Sequence, residues 1–304
     1  MKKILIINYS QQKCGIYQYG YNFYNTIKKN TTHIIEYIEI NNYDEFLKKV
    51  TEVNFDIFIF NWLSIKMSWL SDNILNSFHN IKKFFIFHDF SYPPFKSEHY
   101  ILHQDPTRKI IKENEFIIGR FLYDFNFEKK IDNDKIIISS FGFAFFDKGF
   151  DKVVDVVNRE FSNATIRLHL PYNTVVDADK YMKKEIIKKC ELLNTKNNLI
   201  ITEDYMSNED LLIWLSQSSI NCFFYDNKPS LGISSVIDYA LSVKVPLAIT
   251  DCEMFRHIKK EEILIEKNTL KSIIDQGNKP LIEFQKNWNP INFTNNFDKV
   301  MSLH

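Results

Sequence analysis

Short apolar, β-branched or aromatic runs alternate with longer amphipathic stretches from one end of the chain to the other. The runs that predict strands cover residues 4–8, 34–40, 55–60, 84–87 and 116–118, and then 135–140, 165–170, 199–202, 220–225 and 246–250. Between them, apolar positions three and four apart predict helices over residues 17–29, 148–161, 180–193, 208–216 and 234–243. Continuous apolar strands alternating with helices imply parallel sheets covered on both faces. The stretch NFEKKIDND, residues 126–134, has no periodicity and is nearly all polar, so the domain linker is placed there. About five strand–helix units then fall on each side, enough for one Rossmann-like domain apiece. The expected architecture is α/β, with an N-terminal domain over 1–125, a C-terminal domain over 135–287 and a closing helix over 288–304 that starts after Pro290.

Composition narrows the function classes. With 304 residues, 45% of them apolar, the chain can bury two cores. Lys+Arg and Asp+Glu are 38 each, so no electrostatic footprint for nucleic acid stands out. Lys-Lys pairs at 28–29, 48–49, 82–83, 183–184, 188–189 and 259–260 are read first as solvated polar faces. Weak peripheral contact with an acidic membrane surface is the second reading. Cys14, Cys190, Cys222 and Cys252 are far apart and never form CxxC, which suits a reducing compartment and argues against structural zinc. The apolar run at the start stops after Ile7, short of a signal or membrane segment, so a cytoplasmic location is expected.

Glycine is about 7% of residues in proteins generally, and this chain has seven in 304. Those that remain are expected where the backbone needs them. Gly15 and Gly20 follow the first predicted strand, Gly142 and Gly149 the first strand of the second half, and Gly232 precedes the 234–243 helix. Turns at the carboxyl ends of strands are where open α/β sheets bind ligands.

Three segments carry the candidate chemistry. LGISS, residues 231–235, joins a strand ending at Tyr225 to a helix near Ser234. Gly232, Ile233, Ser234 and Ser235 would offer N–H groups and hydroxyls to a diphosphate; a plain helix cap is the simpler alternative. In SFGFAFFDKGFDKVV, residues 140–154, Lys148 is placed to offset charge on a leaving diphosphate. In FFIFHDFSYPPF, residues 84–95, His88 and Asp89 emerge from a buried strand into a proline-containing loop that can face a bound sugar.

In order and content these segments resemble the retaining GT-B glycosyltransferases that use nucleotide-sugar donors. KILIINY with Cys14-Gly15-Ile16-Tyr17 looks like that family's first strand and glycine loop. FIFHDFSYPPF is similar to its "HD-hydrophobic-S-x-x" segment, and FGFAFFDKGF to its "G-R-L-x-x-x-K-G-F" segment. SNEDLLIWLSQSSINCFFYD and SSVIDYALSVKVPLAITD resemble the elements before and after its donor loop. The resemblance implies two Rossmann-like domains facing a cleft and hexosyl transfer with retention, without a metal or cofactor. The donor would be a UDP- or GDP-sugar and the acceptor a glycan or lipid-linked molecule. It implies that Gly15 lies near the diphosphate or acceptor, that His88 contacts the transferred sugar, and that Lys148 holds the β-phosphate. Gly142, Gly232, Ile233, Ser234, Ser235 and Asp238 would complete the donor site, with Tyr225 beside them.

The chain departs from the pattern in places. Phe143 stands where the family has arginine. Leu231 or Ser230, and Tyr239 or Asp238, stand near its two donor-loop glutamates, and Lys244 stands where the "G-x-P" turn has glycine. Arg256 is the candidate replacement charge. These departures keep two alternatives open: a degenerate protein that only binds a nucleotide-sugar or a partner, and a GT-B-fold epimerase, for which no convincing carboxylate pair is seen. His99 and His103 have the four-residue spacing of a helical zinc pair but lack the adjacent glutamate of HExxH. Asp132-Asn-Asp134 and Asp177-Ala-Asp179 mimic a metal-binding DxD but fit solvated turns and caps better. The glycines of CGIYQYG are five apart and do not make a dinucleotide fingerprint.

Overall fold

A computed structural model describes residues 1–10, 14–51, 54–88, 92–126, 135–171, 179–229 and 232–304. It divides into two compact units, residues 1–123 with 287–304, and residues 124–286. Of the expected linker, 127–134 lie outside the described residues, as do Asp89, Asp132, Asp134, Asp177, Ser230 and Leu231.

The first unit is built on strands β1 (Lys3–Tyr9), β2 (Ile34–Ile40), β3 (Ile57–Phe60), β4 (Lys82–Phe87), β5 (Tyr100–His103) and β6 (Glu115–Ile117). All pair in parallel, in the order β2-β1-β3-β4-β5-β6. Helices α1 (Gly15–Lys28), α2 (Tyr43–Val50) and α3 (Asp72–Ser77) connect them. Alternation along β1 explains the layering: Ile4 and Ile6 pack with Phe23 and Ile27 of α1, while Leu5 and Ile7 pack on the opposite face with Phe46 of α2. β5 is not among the strands the sequence pattern predicts, because its apolar core is only Ile101 and Leu102. His103 lies on it, and His99 just before it, so the four-residue spacing of these histidines is not a helical one.

The second unit carries β7 (Ile137–Phe141), β8 (Thr165–His169), β9 (Asn198–Thr202), β10 (Ile220–Phe223) and β11 (Leu247–Ile249). Their order is β11-β10-β7-β8-β9, again all parallel. Its helices are α4 (Phe150–Glu160), α5 (Asp179–Leu193), α6 (Asn208–Ser216), α7 (Val236–Ser242), α8 (Leu270–Gln276) and α9 (Ile282–Asn287), the last ending where the first unit resumes. The closing helix α10 (Pro290–Ser302) packs Phe293, Phe297, Val300 and Met301 onto the first unit's sheet, beside α1. Nothing in the sequence pattern assigns it to that unit.

Each sheet reverses direction once. The chain passes from β1 to β2, then back across β1 to β3. In the second unit it runs β7-β8-β9 and returns to β10 on the other side of β7. The crevices at the carboxyl ends of β1/β3 and β7/β10 are therefore the topological switch points where such sheets bind ligands.

Lys244, in the turn between α7 and β11, has φ +55° and is the only non-glycine with positive φ among the described residues. A left-handed residue other than glycine costs about 1–2 kcal/mol. Replacing Lys244 with glycine relieves that cost but loosens the unfolded chain by about 0.4–1 kcal/mol. Lys244→Gly is therefore expected to stabilise the second unit by about 0.5–1 kcal/mol in denaturant titration; a loss of stability would refute the strain.

Candidate functional site

At the switch point of the first unit, polar side chains line the carboxyl ends of four adjacent strands. Asn8 is in β1, Asn61 directly follows β3, His88 directly follows β4, and Gln104 directly follows β5. Asn8 and Asn61 are completely buried and Gln104 and Arg120 nearly so, so every donor and acceptor must find a partner inside the protein. Asn61 Nδ2 donates to Asn8 Oδ1 at 2.8 Å and to the Ile16 carbonyl at 2.7 Å. His88 Nε2 lies 2.6 Å from Asn61 Oδ1, and Gln104 Nε2 lies 2.8 Å from His88 Nδ1. Arg120 Nη1 donates to Gln104 Oε1 at 2.9 Å.

Tyr19 closes over this row, its ring edge-on to His88 at 5.3 Å and beneath the Arg120 guanidinium at 5.6 Å. Burial, with Arg120 adding to it, pushes the His88 imidazole down to about 3. Both ring nitrogens are engaged within the protein, so neither is offered to a bound sugar.

Asn8, Asn61, Gln104 and Arg120 are not among the residues singled out from the sequence. For Asn8, Asn61 and Gln104 the one local signal is a polar residue in or at the end of a buried apolar strand; Arg120, three residues past β6, lacks even that. Gly20, expected in a strand-to-helix turn, lies inside α1. A Cβ on Gly20 would stand 2.4 Å from Asn61 Nδ2, so glycine there serves the packing of Asn61. Gly15 is different: its backbone is unstrained and a Cβ would meet nothing within 4 Å.

In the second unit, three of the residues singled out from the sequence gather on a fourth, Tyr225, just past β10. Lys148 Nζ sits 3.9 Å from the centre of the Tyr225 ring. Ser234 Oγ is 3.4 Å from the Tyr225 hydroxyl, and a Cβ on Gly142 would be 3.9 Å from it. Phe255 packs on the ring at 4.7 Å, and Thr250 Oγ1 donates to the Tyr225 carbonyl at 2.7 Å. Lys148 ends a 3₁₀ turn (Phe146–Lys148), and Gly149 then reverses the chain into α4 with φ +64°. A Cβ on Gly149 would lie 1.9 Å from the Phe224 carbonyl oxygen, so only glycine lets this turn close against the end of β10.

The donor loop differs from its expected form. The Ser234 N–H donates to the Met254 carbonyl at 3.0 Å and is not free for a phosphate. The helix starts at Val236 instead of Ser234, and Ser235 does not cap it through its side chain, so its hydroxyl is not spent on that role. Arg256 Nη1 donates to the carbonyls of Gly232 and Glu253, at 2.9 and 2.8 Å, which makes it a brace for the loop. Ile233 is half-buried between these two anchor points. Asp238 is 2% exposed within α7, and Tyr239 donates its hydroxyl to Asn208 Oδ1 at 2.8 Å, so neither is displayed at the loop.

Adding a methyl group at position 20 tests the packing of the first unit. Gly20→Ala is expected to cost about 2–4 kcal/mol, combining overpacking with a disturbed buried hydrogen bond. Urea denaturation reads this directly, and a cost below about 0.5 kcal/mol would show that Asn61 can move aside.

No family model matches the chain, and no curated protein sequence does. Solved structures do. A sucrose-phosphate synthase from Thermosynechococcus elongatus aligns at TM-score 0.66 and 10% identity, over 100% of this chain and 99% of its own. An α,α-trehalose-phosphate synthase (UDP-forming) from Burkholderia xenovorans, in complex with glucose-6-phosphate, aligns at 0.64 and 7%, over 99% and 100%. A glycosyltransferase from Rickettsia africae aligns at 0.62 and 12%, over 98% and 97%. At such identities the likeness is one of fold: two parallel α/β sheets of the kind found in the GT-B glycosyltransferases.

Proposed function

We propose that this chain is a glycosyltransferase that moves a hexose from a nucleotide-diphosphate sugar to an acceptor, with retention and without a metal. The observation that carries the reading is Lys148 at the β7/β10 switch point, on the ring of Tyr225 and held by a turn that only Gly149 can make. A cation fixed there meets charge as it builds on the leaving diphosphate. Ser235 and the Gly232–Ile233 backbone complete the donor site, braced from behind by Arg256. As the bond from the anomeric carbon to the diphosphate breaks, the diphosphate takes the electron pair, the acceptor oxygen forms the new bond on the same face, and its proton passes to a phosphate oxygen. The UDP-forming neighbour favours UDP over GDP, and the glucose-6-phosphate it holds adds a sugar phosphate to the glycan and lipid-linked acceptors considered.

A second reading, binding without transfer, is favoured by two specific features. Phe143 stands where the resemblance calls for a phosphate-binding arginine, and neither Asp238 nor Tyr239 is displayed to hold a ribose.

A thermal-shift panel of UDP-, GDP-, ADP- and CMP-sugars, followed by transfer and hydrolysis assays, separates the readings. Stabilisation by one donor together with turnover supports transfer, and stabilisation without turnover supports binding alone. Absence of any shift counts against both. Lys148→Ala is expected to lower turnover about a hundredfold or more while the fold is kept; unchanged donor binding and turnover in that variant removes Lys148 from the site.

A further inference from the structure

The polar row of the first unit has a direction. Each amide's orientation is set by the backbone: Gln104 Nε2 also reaches the Phe87 carbonyl at 3.3 Å, Asn61 Nδ2 the Ile16 carbonyl, and Asn8 Nδ2 the Tyr17 carbonyl at 3.1 Å, while Asn8 Oδ1 accepts the Tyr9 N–H at 3.0 Å. With the amides so fixed, Gln104 can only donate to His88 Nδ1, and Asn61 Oδ1 can only accept from His88 Nε2–H. The row continues from Asn8 Nδ2 to the Tyr37 hydroxyl at 2.9 Å, and from that hydroxyl to Glu39 Oε1 at 3.0 Å. Hydrogen bonds therefore run one way, from the Arg120 guanidinium through Gln104, His88, Asn61, Asn8 and Tyr37 to the Glu39 carboxylate. A cation at the donor end and an anion at the acceptor end polarise every bond in the same sense.

We propose that His88 is a positioning residue: Gln104 and Asn61 lock its ring as the Nε2–H tautomer, and through it Arg120 aims Asn61 at the first turn of α1. The ring exchanges no proton with substrate. Asn61 and Asn8 hold the carbonyls of Ile16 and Tyr17, so the row sets where the β1–α1 turn, with Gly15, stands at the switch point. This deepens the transferase reading and rests on it in one respect: with the imidazole occupied, the acceptor's proton leaves through the donor's phosphate and not through His88.

The test is histidine-selective nitrogen-15 NMR on the full chain, with His88→Gln used only to assign the signal. The wild type is expected to show a single Nε2–H tautomer that does not titrate between pH 8 and about 4, because both nitrogens are taken and the ring is desolvated. Gln104→Glu puts an anionic acceptor against Nδ1. It is expected to raise the ring's midpoint by about two units or more, so that Nδ1 takes a proton at a pH where the wild-type ring is still neutral. An Nδ1–H tautomer in the wild type, or a ring that titrates near the free value of about 6.5, overturns the proposal. A ring whose midpoint in folded Gln104→Glu is no higher than in the wild type also overturns it. The tautomer stands or falls whether or not any sugar is transferred, so failure here is distinguishable from failure of the transferase reading.

Discussion

The Asn61 side-chain amide is sealed from water beneath Gly20, and the carboxyl edge of the first sheet is organised around satisfying it. A buried amide left without a partner costs about 1–3 kcal/mol per unmade bond. The protein meets that demand with Asn8, the Ile16 carbonyl and His88, and each of these brings in the next group. One polar residue at the end of an apolar strand thus commits residues from β1 to Arg120 and removes the side chain from position 20. Function at this edge inherits a rigid frame: the first turn of α1 is tied to the sheet by side chains that cannot rotate without breaking buried bonds.

The second unit solves the same problem with a different material. Its switch point is organised by an aromatic ring: Tyr225 carries Lys148 on its face and Phe255 beside it, with Ser234 and Gly142 near its hydroxyl. A cation on a ring retains its charge for a ligand, whereas an ion pair would spend it on a carboxylate. The loop at 232–234 is held from outside, by Arg256 on the Gly232 carbonyl and by the Met254 carbonyl on the Ser234 N–H. Arg256, expected as a charge for the ligand, serves as a brace, and the proposed phosphate role rests on Lys148.

Legibility differed sharply between elements and site. β2 (Ile34–Ile40) and α6 (Asn208–Ser216) have the ends the apolar pattern predicts, because both carry enough apolar residues to set a period unaided. β5 is not legible because an edge-proximal strand of four residues, with only two apolar residues at its centre, shows no period. Gly149 and Lys148 were legible because a left-handed turn needs glycine and leaves a local trace. Gly20 was legible as a constraint but not as to its cause, since the atom it makes room for lies 41 positions away.

What the sequence by itself determined is the class of structure: continuous apolar runs alternating with stretches of 3.6-residue period dictate parallel α/β sheets through local backbone geometry and burial alone. What only the tertiary structure decided is which side chains meet. The return of α10 to the first unit, the binding of both His88 nitrogens and the capture of the Ser234 N–H by Met254 depend on residues far apart in the chain. Hydrogen bonds between distant residues leave no period behind them, so their partners appear only once the sheets have set the register.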